Sequence, residues 1–264
     1  MSENHARFFR PPGLPGVELV SVAYRDRAFP MHMHPEYVIG TVVSGAEVLE
    51  AGGSRHIVAA GDVLHLHPGE SHANRTCGPD ILRYRVFYLP AESLRPWLDP
   101  DRECLPSFAA PASQDRRLGH LLAECHEVLS RDVGTLEHES AVMAVVRALS
   151  ASTSSPRGGL RGGPAVDRAR AYIDAHYADN FGLSTLSAVC GLSVFHLARS
   201  FKAAVGMTPL NYRNQRRIIE ARRRLLAGGR IADIAGDLGY ADQSHLTRQF
   251  QKLVGVSPGR YLQQ

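Results

Sequence analysis

The chain has 264 residues, 44% of them apolar and 21% charged, which suits two packed cores and does not suit a disordered chain. No apolar run approaches the ~20 residues of a spanning helix, and the opening stretch MSENHARFFRPPG lacks a signal peptide's apolar region; a cytoplasmic protein with no membrane partner is expected. The net charge of +4 is unevenly divided: residues 1–164 hold 16 Arg and no Lys against 19 acids, residues 165–264 hold 12 Arg and 2 Lys against 7 acids, the footprint of a nucleic-acid binder joined to something else.

From Gly16 to about Leu89 short apolar segments alternate with Gly, Pro and Asp: VELVSVAYR, YVIGTVV, AEVLEAG, RHIVAAGDVLHLHPG and LRYRVFYL. Many short strands at this spacing predict a sandwich or barrel. Six of the 13 histidines lie in one part of it, between His32 and His72. HMHPE puts His32, His34 and Glu36 at alternate positions, on one face if this is a strand, and GDVLHLHPGESH does the same for His65 and His67 before ending at His72. Cys77, Cys104, Cys125 and Cys190 form no Cys-x-x-Cys pair, so reduced thiols are expected rather than disulfides or a thiolate zinc site.

After Pro111 the period changes. Leu118, Leu121, Leu122, Cys125, Val128 and Leu129 recur at steps of three and four, and Val142, Val145, Val146 and Leu149 repeat the pattern after Gly134 and an expected N-cap at Thr135. These predict an antiparallel helical hairpin, acting either as a lid on one barrel face or as the seam of a homodimer. The Ser, Gly and Pro-rich stretch Ser150 to Asp167 has no apolar period and reads as a flexible tether. The expected organisation is therefore a barrel over residues 1–110, a hairpin over 111–150, a linker over 151–164 and an all-α domain over 165–264.

That last domain carries helices over Val166 to Asn180, Ser184 to Gly191, from Ser193, from Thr208 and Pro209 to Gly228 and Gly229, over Ile231 to Leu238, and from Asp242 and Ser257. It also repeats itself. At an offset of 49, Leu197, Arg199, Phe201, Gly206, Pro209 and Tyr212 match Leu246, Arg248, Phe250, Gly255, Pro258 and Tyr261. A short helix, a Gly-containing turn and a capped second helix make a helix-turn-helix, here present twice. Leu197 and Phe201 share a core face, as do Leu246 and Phe250. Phe195, Ala198, Arg199 and Lys202 then form the outward stripe of the first copy, and Ser244, Thr247, Arg248 and Gln251 that of the second. Arg grips guanine, Gln pairs with adenine or phosphate, and Thr or an apolar ring meets a thymine methyl, so both stripes suit a DNA groove.

The segment IADIAGDLGYADQSHLTRQFQKLVGVSPGRY, Ile231 to Tyr261, resembles the DNA-binding signature of the AraC/XylS family of transcription regulators over roughly the last 100 residues. The resemblance implies two helix-turn-helix units bridged by one long helix from Pro209 to about Ala227, their recognition helices meeting successive major grooves about 34 Å apart. It further implies that Arg199 and Arg248, with Phe195 and Ser244, read double-stranded DNA, and that Arg213, Arg216 and Arg217 contact phosphates; Arg222 to Arg224 stay unassigned. The two histidine segments resemble the paired motifs of cupin barrels, the effector domain of much of this family. That likeness implies a candidate set of ligands for a divalent transition metal in His32, His34, Glu36 and His72. Alternatively it implies a small-molecule effector pocket lined by His32, His34, Glu36, Tyr37, His65, His67, His72 and Asn74, and a third reading makes these residues plain parts of the barrel mouth. Glu36 follows His34 after one residue and Pro35 interrupts pairing, both departures from the cupin pattern.

The expected fold is α+β in two domains: an N-terminal cupin-like β-barrel with a helical hairpin and a C-terminal all-α domain of two helix-turn-helix units. The expected function is a sequence-specific, effector-controlled transcription regulator, not an enzyme. The rival is a metal-dependent cupin enzyme with a helical appendage, which gives no account of two recognition helices in register. An architectural DNA-binding protein with a purely structural barrel is a third reading, and differs by having no effector.

Overall fold

In a computed structural model of the chain, the residues described are 4–98, 105–131, 133–152 and 162–263. Most of the expected tether, residues 153–161, and Cys104 lie outside them. The described residues within Met1–Ala28 and His34–Gly158 form one compact unit, and those within Phe29–Met33 and Gly159–Gln263 the other. No single helix among them is long and apolar enough to cross a membrane.

Among the described residues, ten strands build the N-terminal part: β1 (His5–Phe9), β2 (Glu18–Tyr24), β3 (Ala28–His32), β4 (Tyr37–Ser44), β5 (Ala46–Ala51), β6 (Ser54–Ala59), β7 (Val63–Leu66), β8 (His72–Cys77), β9 (Leu82–Leu89) and β10 (Ala112–Ser113). They form a six-stranded sheet, ordered β1-β2-β9-β4-β7-β10, and a four-stranded sheet, ordered β3-β8-β5-β6. No ladder among the described residues closes the two into a single cylinder. The apolar runs read from the sequence became β2, β4, β5, β6, β7 and β9. Strand β8, HANRTC, carries no apolar alternation and owes its conformation to pairing with β5, in which His72 faces Ala51 and Asn74 faces Leu49. Where the chain turns from β4 into β5, Gly45 has φ +72°, and a Cβ there would stand 2.8 Å from the Ile81 carbonyl oxygen, so only glycine fits.

Helix α1 (Ala91–Leu94) leads through a 3-10 turn to the hairpin helices α2 (Arg116–Leu129) and α3 (Thr135–Ala151). The Asp115 carboxylate caps α2 by accepting from the Leu118 N–H. The N-cap of α3 is Gly134 and not Thr135, and it makes no side-chain bond. The hairpin buries its apolar stripe on the six-stranded sheet: Leu19, Ile39, Phe87 and Leu89 share one core with Leu118, Leu122, Val145, Val146 and Leu149. His126 of α2 lies in that region, edge-on to Phe9 and Phe87. Burial, with the Arg85 charge behind it, lowers its pKa to about 4, so it is neutral in the fold at ordinary pH.

Among the described residues seven helices follow: α4 (Gly163–His176), α5 (Leu183–Cys190), α6 (Val194–Val205), α7 (Pro209–Leu226), α8 (Ile231–Asp237), α9 (Gln243–Val254) and α10 (Pro258–Leu262). Helix α4 opens at Gly163, earlier than the apolar period suggested, with Pro164 in its first turn. The duplicated caps form in both copies. Ser193 accepts from the His196 N–H and Asp242 from the His245 N–H, while Thr208 and Ser257 cap the helices that begin with Pro209 and Pro258. The aromatic anchors repeat as well: Tyr212 meets Phe201 edge to face at 5.7 Å, and Tyr261 meets Phe250 at 5.6 Å.

Candidate functional sites

Strand alternation sorts the histidines. In β9, Phe87 and Leu89 face the hairpin core, so Tyr84 and Tyr88 point to the opposite side of the sheet. There the His34 ring lies 4.8 Å from Tyr88 and 5.3 Å from His72, between ring centroids. The ring nitrogens of His34 and His72 approach within 4.8 Å of each other. His32 Nδ1 stands 2.8 Å from the Pro30 carbonyl oxygen and His72 Nδ1 3.1 Å from that of Glu70. A carbonyl only accepts, so each Nδ1 carries the proton and Nε2 is the lone-pair nitrogen, the tautomer that a metal or a hydrogen-bond donor needs.

Glu36 is not in this group. Strand β3 ends at His32, and the chain passes through Pro35 before β4 begins at Tyr37, so the alternation that would align Glu36 with the histidines is lost. Its half-buried side chain leaves Oε2 without a hydrogen-bond partner.

His65, His67 and Tyr37 sit on the other side of the sheet, which corrects the expectation that they share a pocket with His72. His65 stacks on Phe108 at 4.6 Å and bonds to the Ala110 carbonyl and the Ser113 hydroxyl. His67 Nε2 accepts from the Phe108 N–H, and Tyr37 belongs to the hairpin core. The cause is the one-residue alternation of β4 and β7: Ile39 pairs with His65, and Ile39 faces the hairpin.

Asn74 does stand on the Tyr84 side, and it brings partners that the sequence did not single out. Its side-chain amide donates to Glu47 Oε2 at 2.9 Å, and Glu47 is 1% exposed. Tyr24 packs edge-on against Tyr84. Burial pushes the Glu47 carboxyl up to about 7, against the lowering effect of the Asn74 bond. Burial also raises Tyr84 well above the usual tyrosine value, helped by Tyr24, Glu47 and Tyr88. Glu47, which changes protonation state near pH 7, thus joins the hydroxyls of Tyr84 and Tyr88 in a polar patch beside the histidines. The alternation in LRYRVFYL placed both tyrosines on one face; which face met a polar interior was not in that pattern.

In the helical part, Phe195 is 77% exposed, and Arg199, Lys202, Ser244, Arg248 and Gln251 are exposed too. Ala198 and Thr247 are half-buried, at the edge of each stripe. Arg213, Arg216 and Arg217 are placed differently from the expected phosphate contacts. Arg213 donates to the Phe181 carbonyl and lies over its ring at 4.9 Å. Arg216 pairs with Asp174 at 2.9 Å. Arg217 is buried and bonded to backbone oxygens, which corrects its assignment outright: a buried guanidinium does not reach a phosphate. The unassigned run is structural as well. Arg222 meets the Tyr261 hydroxyl, while Arg223 and Arg224 hold Glu220, whose carboxyl falls to about 2 chiefly through the Arg223 hydrogen bond.

Comparison with known proteins agrees with this geometry. A family model described as an AraC-like ligand binding domain matches residues 14–146, and one described as a helix-turn-helix domain matches residues 186–264. An HTH-type transcriptional regulator of Bacillus subtilis strain 168, YbfI, is 29% identical over 85% of each chain. The arabinose operon regulatory protein of Escherichia coli K12 is 25% identical over 85% of this chain and 80% of its own. Among solved structures, ToxT of Vibrio cholerae bound to an unsaturated fatty acid shares the fold at a TM-score of 0.56 and 15% identity, covering 99% of this chain and 97% of that one.

Glu47 generates a prediction with a definite sign. Its folded value of about 7 lies above the ordinary 4.5, so the stability present below pH 4.5 is lost as pH rises through 4.5 to 7. Replacing it by Gln removes that loss. Urea denaturation of Glu47→Gln should match wild type near pH 4.5 and exceed it by roughly 3 kcal/mol at pH 8. A pH-independent difference would refute the assignment.

Proposed function

The chain belongs to the AraC/XylS family of transcription regulators, and on that premise we propose how its two sites divide the work. It is a DNA-binding regulator with an N-terminal ligand-binding domain. The exposed stripes on α6 and α9 are the base readers: Arg199 and Arg248 grip guanine edges, Phe195 covers a thymine methyl, and Ser244 and Gln251 bond base or phosphate. The duplicated caps and aromatic anchors carry this reading, because they present two recognition helices of the same build from one scaffold. Differences between the copies, Phe195 against Ser244 and Ala198 against Thr247, give the two half-sites different sequences.

The effector site is the polar side of the sheets, with His34, His72, Asn74, Glu47, Tyr84 and Tyr88 as its donors and acceptors. It binds and does not turn over its ligand. His34 and His72 fit a divalent transition metal, since two imidazoles facing each other, one with its Nδ1–H pinned by a carbonyl, are borderline-soft donors. When bound, such an ion supplies a Lewis-acid anchor for an oxygen of the effector. On α3, Leu136 and Met143, seven residues apart and both exposed, form the seam of a homodimer, and the regulator works in the cytoplasm.

Three outcomes test these assignments. Arg248→Ala should weaken binding to a selected operator by about 1 to 3 kcal/mol and relax base preference at one position, read by footprinting; an unchanged footprint removes α9 from the groove. Zn(II) or Ni(II) in excess should raise the thermal transition of the metal-free protein, by about 2.7 kcal/mol of stability at a hundredfold excess over the dissociation constant. His72→Ala should abolish that shift, and no retention of either ion in equilibrium dialysis would end the metal reading. Leu136→Glu combined with Met143→Glu should give a monomer in analytical ultracentrifugation, whereas an unaltered dimer would move the seam elsewhere.

A further inference from the structure

Arg217 is 3% exposed, the most deeply buried arginine among the described residues. A guanidinium in that position needs its N–H groups met by oxygen, and they are met from two separate segments. Nε donates to the Tyr177 carbonyl at 2.6 Å, and Nη2 to the Ala178 and Asp179 carbonyls and to Asn180 Oδ1 at 3.0 to 3.2 Å. These residues lie between α4 and α5, at the entrance to the first helix-turn-helix. Nη1 turns the other way and donates at 2.9 Å to the carbonyl of Gly239, the turn of the second. The guanidinium also lies over the Tyr240 ring, 5.5 Å from its centroid.

The first unit offers a comparison within the same chain. Arg168 on α4 donates to the Cys190 carbonyl beside the first turn, a bond that stays within the first unit. The two turn glycines also differ. Both have positive φ, +65° at Gly191 and +70° at Gly239. A Cβ at Gly191 would meet nothing within 4 Å, whereas one at Gly239 would strike the Ala178 carbonyl oxygen and crowd Arg217 Nη2. The second turn is thus pressed at backbone distance against the segment that opens the first unit, and Arg217 bonds both sides of that junction.

We infer that Arg217 is the positioning residue that fixes the spacing of the recognition helices α6 and α9, and through it the base-pair separation between the two half-sites. The long helix α7 alone leaves that separation underdetermined: it sets the axial distance between the units, while the rotation of one unit about it depends on a contact off the axis. Arg217 meets five oxygens there through charge-assisted bonds, stronger than neutral ones, with the two Nη2 hydrogens shared among three of them. The inference rests on the DNA-reading role of the two stripes.

The test uses the full chain and a duplex enriched by the wild-type protein from a randomised pool. Binding is compared on that duplex, on versions with one base pair inserted or removed between the contacted segments, and on a duplex holding one half-site. Wild type should lose about tenfold per inserted or removed pair. Arg217→Met should bind the enriched duplex more weakly yet lose less than about threefold on respacing, with half-site binding unchanged. Arg217→Lys keeps the charge and part of the bonding and should fall between them. Asn180→Ala removes one bond only and should shift the spacing penalty slightly in the same direction; it decides the matter if thermal unfolding shows that Arg217→Met does not fold. A wild-type spacing penalty in the folded variants overturns the inference and leaves the DNA-reading role standing. An equal loss on half-site and full site overturns it too, because that is general damage. Failure of the wild-type protein to enrich any duplex overturns both.

Discussion

Strand β9 runs through the middle of the six-stranded sheet between β2 and β4, and its alternation decides what each side of the N-terminal domain can be. Phe87 and Leu89 point to one face and are covered by α2 and α3; Tyr84 and Tyr88 point to the other, beside His34, His72 and Asn74. Pairing is pinned on both edges, with Val86 opposite Val20 in β2 and Gly40 in β4. A slip of one residue would turn both tyrosines under the hairpin and leave Phe87 among the histidines, so register and site chemistry are one constraint. Gly40 takes part directly, since a Cβ there would stand 2.8 Å from the Arg85 carbonyl oxygen.

The same alternation explains why a cluster of histidines in sequence becomes two groups in space. His65 and His67 follow the Ile39 face and stabilise the packing around Phe108, with their ring nitrogens spent on backbone and side-chain partners. His34 and His72 stand on the opposite side, where Glu47 is held near neutrality by burial. A site of imidazoles, an amide and tyrosine hydroxyls, with a carboxyl that protonates near pH 7, recognises ligands through directed hydrogen bonds or a soft cation more than through net charge.

The helical domain uses its arginines in two ways that composition could not separate. Twelve arginines give residues 165–264 their basic character, yet those on α7 are largely engaged inside the domain: with Asp174, with Glu220, with the Phe181 and Gly239 carbonyls and with aromatic rings. Arg213 and Arg217, whose partners are neutral carbonyls and rings, still contribute their charge to the long-range field, whereas those paired with Asp174 and Glu220 are offset by their partners. Direct reading is left to the exposed ends of α6 and α9.

Local signals were enough to read the duplicated helix-turn-helix, since caps, turn glycines and a leucine-phenylalanine anchor four apart are all written within a dozen residues and act over one or two helical turns. Ser193, Thr208, Asp242 and Ser257 each bond as their positions imply. The apolar strands were legible for the same reason, through their period of two. What the sequence could not determine is anything settled by partners far away in the chain. Strand β8 is a strand because β5 accepts it. Arg217, one of several arginines on an amphipathic helix, is buried because residues 177–180 and Gly239 converge on it from either side. Side-chain type and periodicity determine which residues prefer a groove or a core; which oxygen meets which donor is decided only when segments distant in sequence close on each other, and that closure is tertiary.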